Sequence, residues 1–139
     1  MCGLFGVVCR KAAFESIKPR IERAHAFQQH QGPDMRGEAM LEIGSGRVVY
    51  LAHQRLSILD LSEAGRQPMA DSDQSSWLAY NGEVYNYREL AETMHYTPAG
   101  GSDTEGVLEC FRRDGVAGAL SKFNGMWGLA WVSLREGTL

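Results

Sequence analysis

An α+β fold, with helices packed on antiparallel sheets, is what this 139-residue sequence predicts. Three observations lead there. Several short apolar runs are rich in β-branched residues and bounded by glycine, which reads as strands. Two of them, 38–43 and 47–53, flank Gly44-Ser45-Gly46, a hairpin signal that makes the pairing antiparallel. Between the strand pairs lie stretches whose apolar residues recur at helical spacing and must be buried against a sheet face.

Taken in order, Gly3 to Cys9 reads as a buried strand and, from its composition, a central one. From Ala12 to about His30, the residues Ala13, Phe14, Ile17, Ile21, Ala24 and Phe27 keep helical spacing, and Pro19 predicts a kinked or two-part helix. Gln31-Gly32-Pro33-Asp34 then punctuates the chain before the hairpin. Ile58 to Ser62 leads into a polar loop carrying Gly65 and Pro68. Ser76 to Tyr80 is a strand that Asn81-Gly82 is expected to stop, since Asn-Gly is a strong turn signal. Tyr85 to Met94 and Thr104 to Arg113 carry helical patterns, and Ser102-Asp103 suits a helix cap. Val116 to Phe123 reads as a short third helix, and Gly125 to Leu134 as a long apolar strand followed by the turn residues 135–138. A hairpin turn after such a strand predicts a returning strand, so residues 1–139 read as one incomplete domain.

Composition narrows the function. With 44% apolar residues the chain can bury one core. Its 14 Lys+Arg against 17 Asp+Glu give a net charge of -3, which offers no basic field for nucleic acid. No apolar run approaches the roughly 20 residues of a membrane span. The apolar Leu4 to Cys9 precedes the basic Arg10 and Lys11, the reverse of a signal peptide, so the expectation is a cytoplasmic protein with no membrane partner. Three cysteines, Cys2, Cys9 and Cys110, form no C-x-x-C pair and argue against a disulfide framework or a thiolate zinc site. His25 and His30 lack the spacing of a zincin helix, and no metal is expected.

Cys2 is the chemically suggestive residue. It follows Met1, and its small side chain is compatible with removal of that methionine, which leaves one residue carrying a thiol and a free α-amine. An α-amine titrates near about 7.7–8.0 and can take the thiol proton without a histidine. Taken alone, however, Cys2 is better read as a small apolar residue at the start of a strand.

The wider pattern changes that balance. Met1-Cys2-Gly3-Leu4-Phe5-Gly6 resembles the opening of class II glutamine amidotransferases, which are N-terminal nucleophile hydrolases. His30-Gln31-Gly32-Pro33-Asp34, the block from Ala52 to Leu61 with Gln67-Pro68-Met69 after it, Asn81-Gly82-Glu83-Val84-Tyr85-Asn86-Tyr87 and Gly101-Ser102-Asp103-Thr104-Glu105 follow in that family's order. The wording of the arginine and Asn-Gly-Glu blocks is similar to the glutamine-hydrolysing asparagine synthetases, and the resemblance spans essentially the whole chain. It implies a four-layer αββα sandwich. One departure is Gln31, where the family usually has arginine. Read as a structural ion-pair position, it bears on loop order more than on chemistry; a weakened glutaminase is the alternative.

The resemblance also assigns residues. Cys2 becomes the nucleophile, and the Asn81 side-chain amide with the Gly82 backbone N–H becomes the oxyanion hole. Glutamine would lie against Arg55, Leu56, Ser57, Ile58, Leu59, Asn81, Gly82, Glu83 and Asp103, with Arg55 gripping the α-carboxylate and Asp103 the ammonium. Most have a plainer reading from the residues alone: an ion pair of Arg55 with Asp60 or a glutamate, a type I′ turn at Asn81-Gly82, a solvated Glu83 and a helix cap at Ser102 or Asp103. His53 reads as a packed histidine rather than a base, and Cys9, Cys110, Trp127 and Trp131 as core. Ala99 to Thr104 faintly resembles a pyrophosphate loop but lacks the apolar strand that should precede it.

The function implied is hydrolysis of L-glutamine to glutamate and ammonia, with no cofactor in this segment. A synthetase domain in cis, using ATP and Mg²⁺ to activate aspartate, would consume the ammonia, and a homodimer is an allowed assembly. The rivals are a non-catalytic interaction module and an amidotransferase serving a different carboxylate acceptor.

Overall fold

The computed structural model describes residues 2–58 and 61–139. Two three-stranded antiparallel sheets form the centre. The first contains β1 (Gly3–Arg10), β2 (Met35–Glu42) and β3 (Arg47–Arg55) in the order β1-β3-β2. The second contains β4 (Met69–Ala70), β5 (Ser76–Val84) and β6 (Gly125–Ser133) in the order β4-β5-β6. The helices are α1 (Lys11–Phe27), α2 (Tyr87–Thr93) and α3 (Asp103–Leu120), with short 3-10 turns at Gln29–Gln31 and Glu63–Gly65.

Side chains alternate across each strand, and this alternation builds the layers. On β3, Val48, Tyr50 and Ala52 face α1 and pack with Phe14 and Ile21. Their neighbours Val49 and Leu51 face the other way, onto Ala79 and Val132 of the second sheet. On β5, Leu78 and Tyr80 turn outward onto Val107, Leu108 and Phe111 of α3. Three apolar interfaces thus separate four layers, helix, sheet, sheet and helix, which is the αββα sandwich that the resemblance implies.

Five expectations change. The strand at Gly3–Arg10 is at one edge of its sheet among the described residues, and β3 is central. Composition reports burial of a strand's faces rather than its neighbours, and β3 is buried at every position after Arg47. Asn81-Gly82 does not stop the strand: β5 continues to Val84, with Asn81 opposite Gly128 and Gly82 opposite Trp127. Pairing with nine residues of β6 overrides the local turn signal. Pro19 does not divide the helix: it lies inside one 17-residue helix, Lys11–Phe27, and the residues up to His30 fall in a separate 3-10 turn. The short helix expected from Val116 is the last part of α3, set off by Gly115, whose φ of 69° is left-handed and suits glycine. The α2 helix is shorter than the pattern from Tyr85 suggested.

His53 joins the two sheets. It is fully buried, and Nε2 donates to the Tyr80 carbonyl at 3.0 Å. Burial depresses its pKa from 6.5 to about 4, so the ring is neutral, as a packed core histidine should be. His25, on the buried face of α1, is shifted in the same direction by burial. A depressed pKa contributes stability that is complete above the unfolded value and is lost as pH falls towards the folded one. Unfolding by urea should therefore show a loss of roughly 2 kcal/mol between about pH 7.5 and about pH 5, above the carboxylate range. A flat profile across that window would show that His53 is not held neutral.

Candidate active site

Where the β4 pairing ends, the rim of β5 opens onto a cavity of about 510 Å³. Register explains why backbone groups are available there. In an antiparallel strand the N–H and C=O of alternate residues point to the same side. The Tyr80 N–H donates to Gln67 Oε1 at 2.7 Å and its carbonyl accepts from His53, so both point away from β6. Val84, four residues on, likewise donates to Asp103 Oδ2 at 2.9 Å rather than to β6. Gly82 lies midway between them in a regular pairing, so its N–H also points off the ladder, on the side where β4 has ended. A Cβ at Gly82 would sit 2.2 Å from the Met126 carbonyl oxygen, so the two strands approach too closely for a side chain there.

Cys2 lies beside this rim. Its backbone nitrogen donates to Asn81 Oδ1 at 3.1 Å. That bond turns the oxygen of the Asn81 carboxamide towards Cys2 and leaves Nδ2 as a donor on the other branch. The Leu56 N–H reaches the Cys2 sulfur at 3.4 Å, and the thiol lies 3.8 Å from the Leu56 carbonyl, so the backbone just beyond β3 cradles the sulfur. The Gly-Pro-Asp turn holds that backbone: the Asp34 N–H donates to the Arg55 carbonyl at 3.1 Å, and Asp34 Oδ2 accepts from Ser57 N–H at 2.8 Å. Gln31 is exposed at the end of the 3-10 turn, and its backbone N–H donates to the Gln28 carbonyl.

Of the residues assigned to glutamine, Arg55, Leu56, Ile58, Asn81, Gly82, Glu83 and Asp103 line the cavity with Cys2. Ser57 does not; its N–H is directed at Asp34 instead. Leu59, and the Asp60 considered as an ion-pair partner for Arg55, lie outside the described residues. Arg55 is buried, its Nη1 donates to the Ser62 carbonyl at 3.0 Å, and Gly65 lies so close that a Cβ there would come within 2.0 Å of Nη2. Both contacts fix the plane of the guanidinium. Asp103 opens α3, yet neither it nor Ser102 makes a side-chain cap. Its carboxylate ties β5 to α3 by accepting from the Tyr80 hydroxyl at 2.8 Å and from Val84 N–H, both on Oδ2.

The sequence reading missed further lining residues: Gln67, Tyr80, Tyr85, Ser102, Thr104, Met126 and Trp127. Gln67 belongs to one of the family-like blocks, where the resemblance assigns it no role; its carboxamide bridges Tyr80 N–H to Thr104 Oγ1 and takes the place of a β4 residue at the rim. Trp127 packs against the outer core, as read, and also borders the cavity.

The three cysteines are free, and burial raises the Cys110 thiol to about 11, which leaves it inert at neutral pH. Among the described residues no group of three or more His, Cys, Asp or Glu is placed to hold a metal ion. The loop at 99–104 follows α2 rather than a parallel strand, so this segment does not offer the nucleotide phosphate loop that it faintly resembles. No helix among the described residues is long and apolar enough to cross a membrane.

A cysteine beside an amide donor and an off-ladder backbone N–H is a geometry suited to acyl transfer, and comparison with known proteins agrees. The glutamine amidotransferase domain family matches residues 1–139, the entire chain. The chain belongs to that family. Among curated relatives of this amidotransferase domain, a putative glutamine-hydrolysing asparagine synthetase of Methanocaldococcus jannaschii is 33% identical over 100% of the chain. Asparagine synthetase 1 of Bacillus subtilis is 36% identical and asparagine synthetase B of Escherichia coli 33% identical, each over 94% of the chain. The domain spans 29%, 21% and 23% of the lengths of these three relatives, respectively.

Proposed function

We propose that this domain hydrolyses L-glutamine to glutamate and ammonia, with Cys2 as nucleophile. The observation that carries the reading is the bond from the Cys2 nitrogen to Asn81 Oδ1 beside the off-ladder Gly82 N–H, which gathers nucleophile, base and oxyanion donors at one cavity wall. With Met1 removed, the Cys2 nitrogen is an amine whose pKa suits proton transfer near neutrality.

The amine takes the thiol proton, and the sulfur attacks the side-chain amide carbon of glutamine. Charge on the amide oxygen is met by Asn81 Nδ2 and Gly82 N–H; losing one such donor typically costs about 10²–10³ in rate. The ammonium of Cys2 then returns its proton to the leaving nitrogen, and ammonia departs from a γ-glutamyl thioester. Water attacks the thioester while the amine accepts its proton, the C–S bond breaks, and glutamate and the thiol are restored. Arg55 receives the α-carboxylate of glutamine and Asp103 its ammonium, while Leu56, Ile58 and Glu83 wall the pocket.

The relatives' names support an asparagine synthetase as the whole protein, and its proposed place is the cytoplasm. In that reading a synthetase domain in cis, where ATP and Mg²⁺ supply activation of the acceptor carboxylate, consumes the ammonia. Incubation of the chain with L-glutamine should release glutamate and ammonia in equal amounts. Absence of both would overturn the proposal.

A further inference from the structure

We propose that Tyr80 is a positioning residue for recognition of the substrate ammonium, acting through Asp103 in the glutaminase site proposed above. Every polar group of Tyr80 is engaged. Its N–H donates to Gln67 Oε1, its carbonyl accepts from His53 Nε2, and its hydroxyl donates to Asp103 Oδ2 at 2.8 Å, with the residue only 2% exposed. The ring is packed among Leu78, Val107 and Phe111, so the hydroxyl has no freedom to wander.

Asp103 is 5% exposed and lines the cavity. A carboxylate has two oxygens, and both of its hydrogen bonds, from Tyr80 and from Val84 N–H, fall on Oδ2. Among the described residues that leaves Oδ1 as the oxygen available to a ligand, with the plane of the carboxylate set by the two donors. Burial, and then the neighbouring Asp103 charge, raise the Tyr80 pKa, so the hydroxyl keeps its proton and remains a donor. The inference is thus that the Tyr80 hydroxyl presents Asp103 Oδ1 to the α-ammonium of glutamine and sets the preference for substrates that carry one.

Tyr80→Phe removes one oxygen and keeps the ring. The test compares glutamine with glutaramate, which is glutamine without its α-amine, in the wild type and in this variant. For glutamine, KM should rise roughly tenfold with kcat within about twofold, the size expected for one hydrogen bond to a charged group. For glutaramate, kcat/KM should be nearly unchanged, so the preference for glutamine shrinks by the same roughly tenfold. Equal losses on both substrates, or no loss on either, would show that Tyr80 is only packing and would overturn the inference while leaving glutamine hydrolysis in place. A wild type that hydrolyses neither substrate would overturn the glutaminase reading and this inference with it. If Tyr80→Phe unfolds at the assay temperature, the same ratio is read in sucrose, which favours the compact state.

Discussion

Cys2→Ala should abolish glutamine turnover while leaving the fold intact. The thiol is the proposed nucleophile, and no other cysteine can replace it: Cys110 is buried in the α3 core, and Cys9 packs against the α1 side of the first sheet. Loss of a nucleophile typically costs well over about 10³ in kcat, because no thioester can form and only binding and the oxyanion donors remain to assist direct attack by water. Structural cost should stay small, about 1 kcal/mol or less, since Cys2 precedes β1, is only half-buried, and gives up only its contacts with Leu56. Glutamate release measured beside a thermal melt checks both halves. Activity retained in a folded Cys2→Ala variant would falsify the mechanism.

Arg55→Ala should raise KM for glutamine by about 10² or more with a far smaller effect on kcat. A guanidinium gripping a carboxylate with two charge-assisted bonds contributes about 3–5 kcal/mol in this setting. Because the grip is the same in ground and transition states, its loss falls on KM. Arg55→Lys should recover only part of the affinity, since lysine keeps the charge but not the fork, and the contact with the Ser62 carbonyl beside Gly65 is shaped for a planar group. Initial-rate kinetics on the two variants distinguish this role from an ion pair that merely supports the fold, which would lower the melting temperature without a selective change in KM.

Much of this arrangement is legible in the sequence because the αββα layers are written as alternation. The period-two pattern of β3 and β5 and the helical spacing of α1 each name a buried face, and each face meets the layer that the fold supplies. What the sequence does not show is neighbourhood. Nothing in Gly3 to Arg10 says that β3 rather than β1 is central, since strand order depends on pairings across some forty residues. Asn81-Gly82 is a sound local turn signal that tertiary pairing with β6 overrides, and the same close approach places the Gly82 N–H at the rim of the cavity. From the sequence the Asp103 carboxylate reads as a substrate group or a cap; its ties to Tyr80 and Val84 depend on where α3 meets β5 and leave no trace in local spacing. The roles of Gln67 and Tyr80 were hidden for the same reason.

The most direct test of the central claim is intact-mass spectrometry of the purified chain before and after incubation with diazo-oxo-norleucine, a glutamine analogue that alkylates an activated thiol. It reads processing and reactivity in one spectrum. The account predicts a mass lacking Met1 and a single adduct that maps to Cys2 and is prevented by excess glutamine. A retained Met1, an adduct on Cys9 or Cys110, or no adduct at all would contradict it.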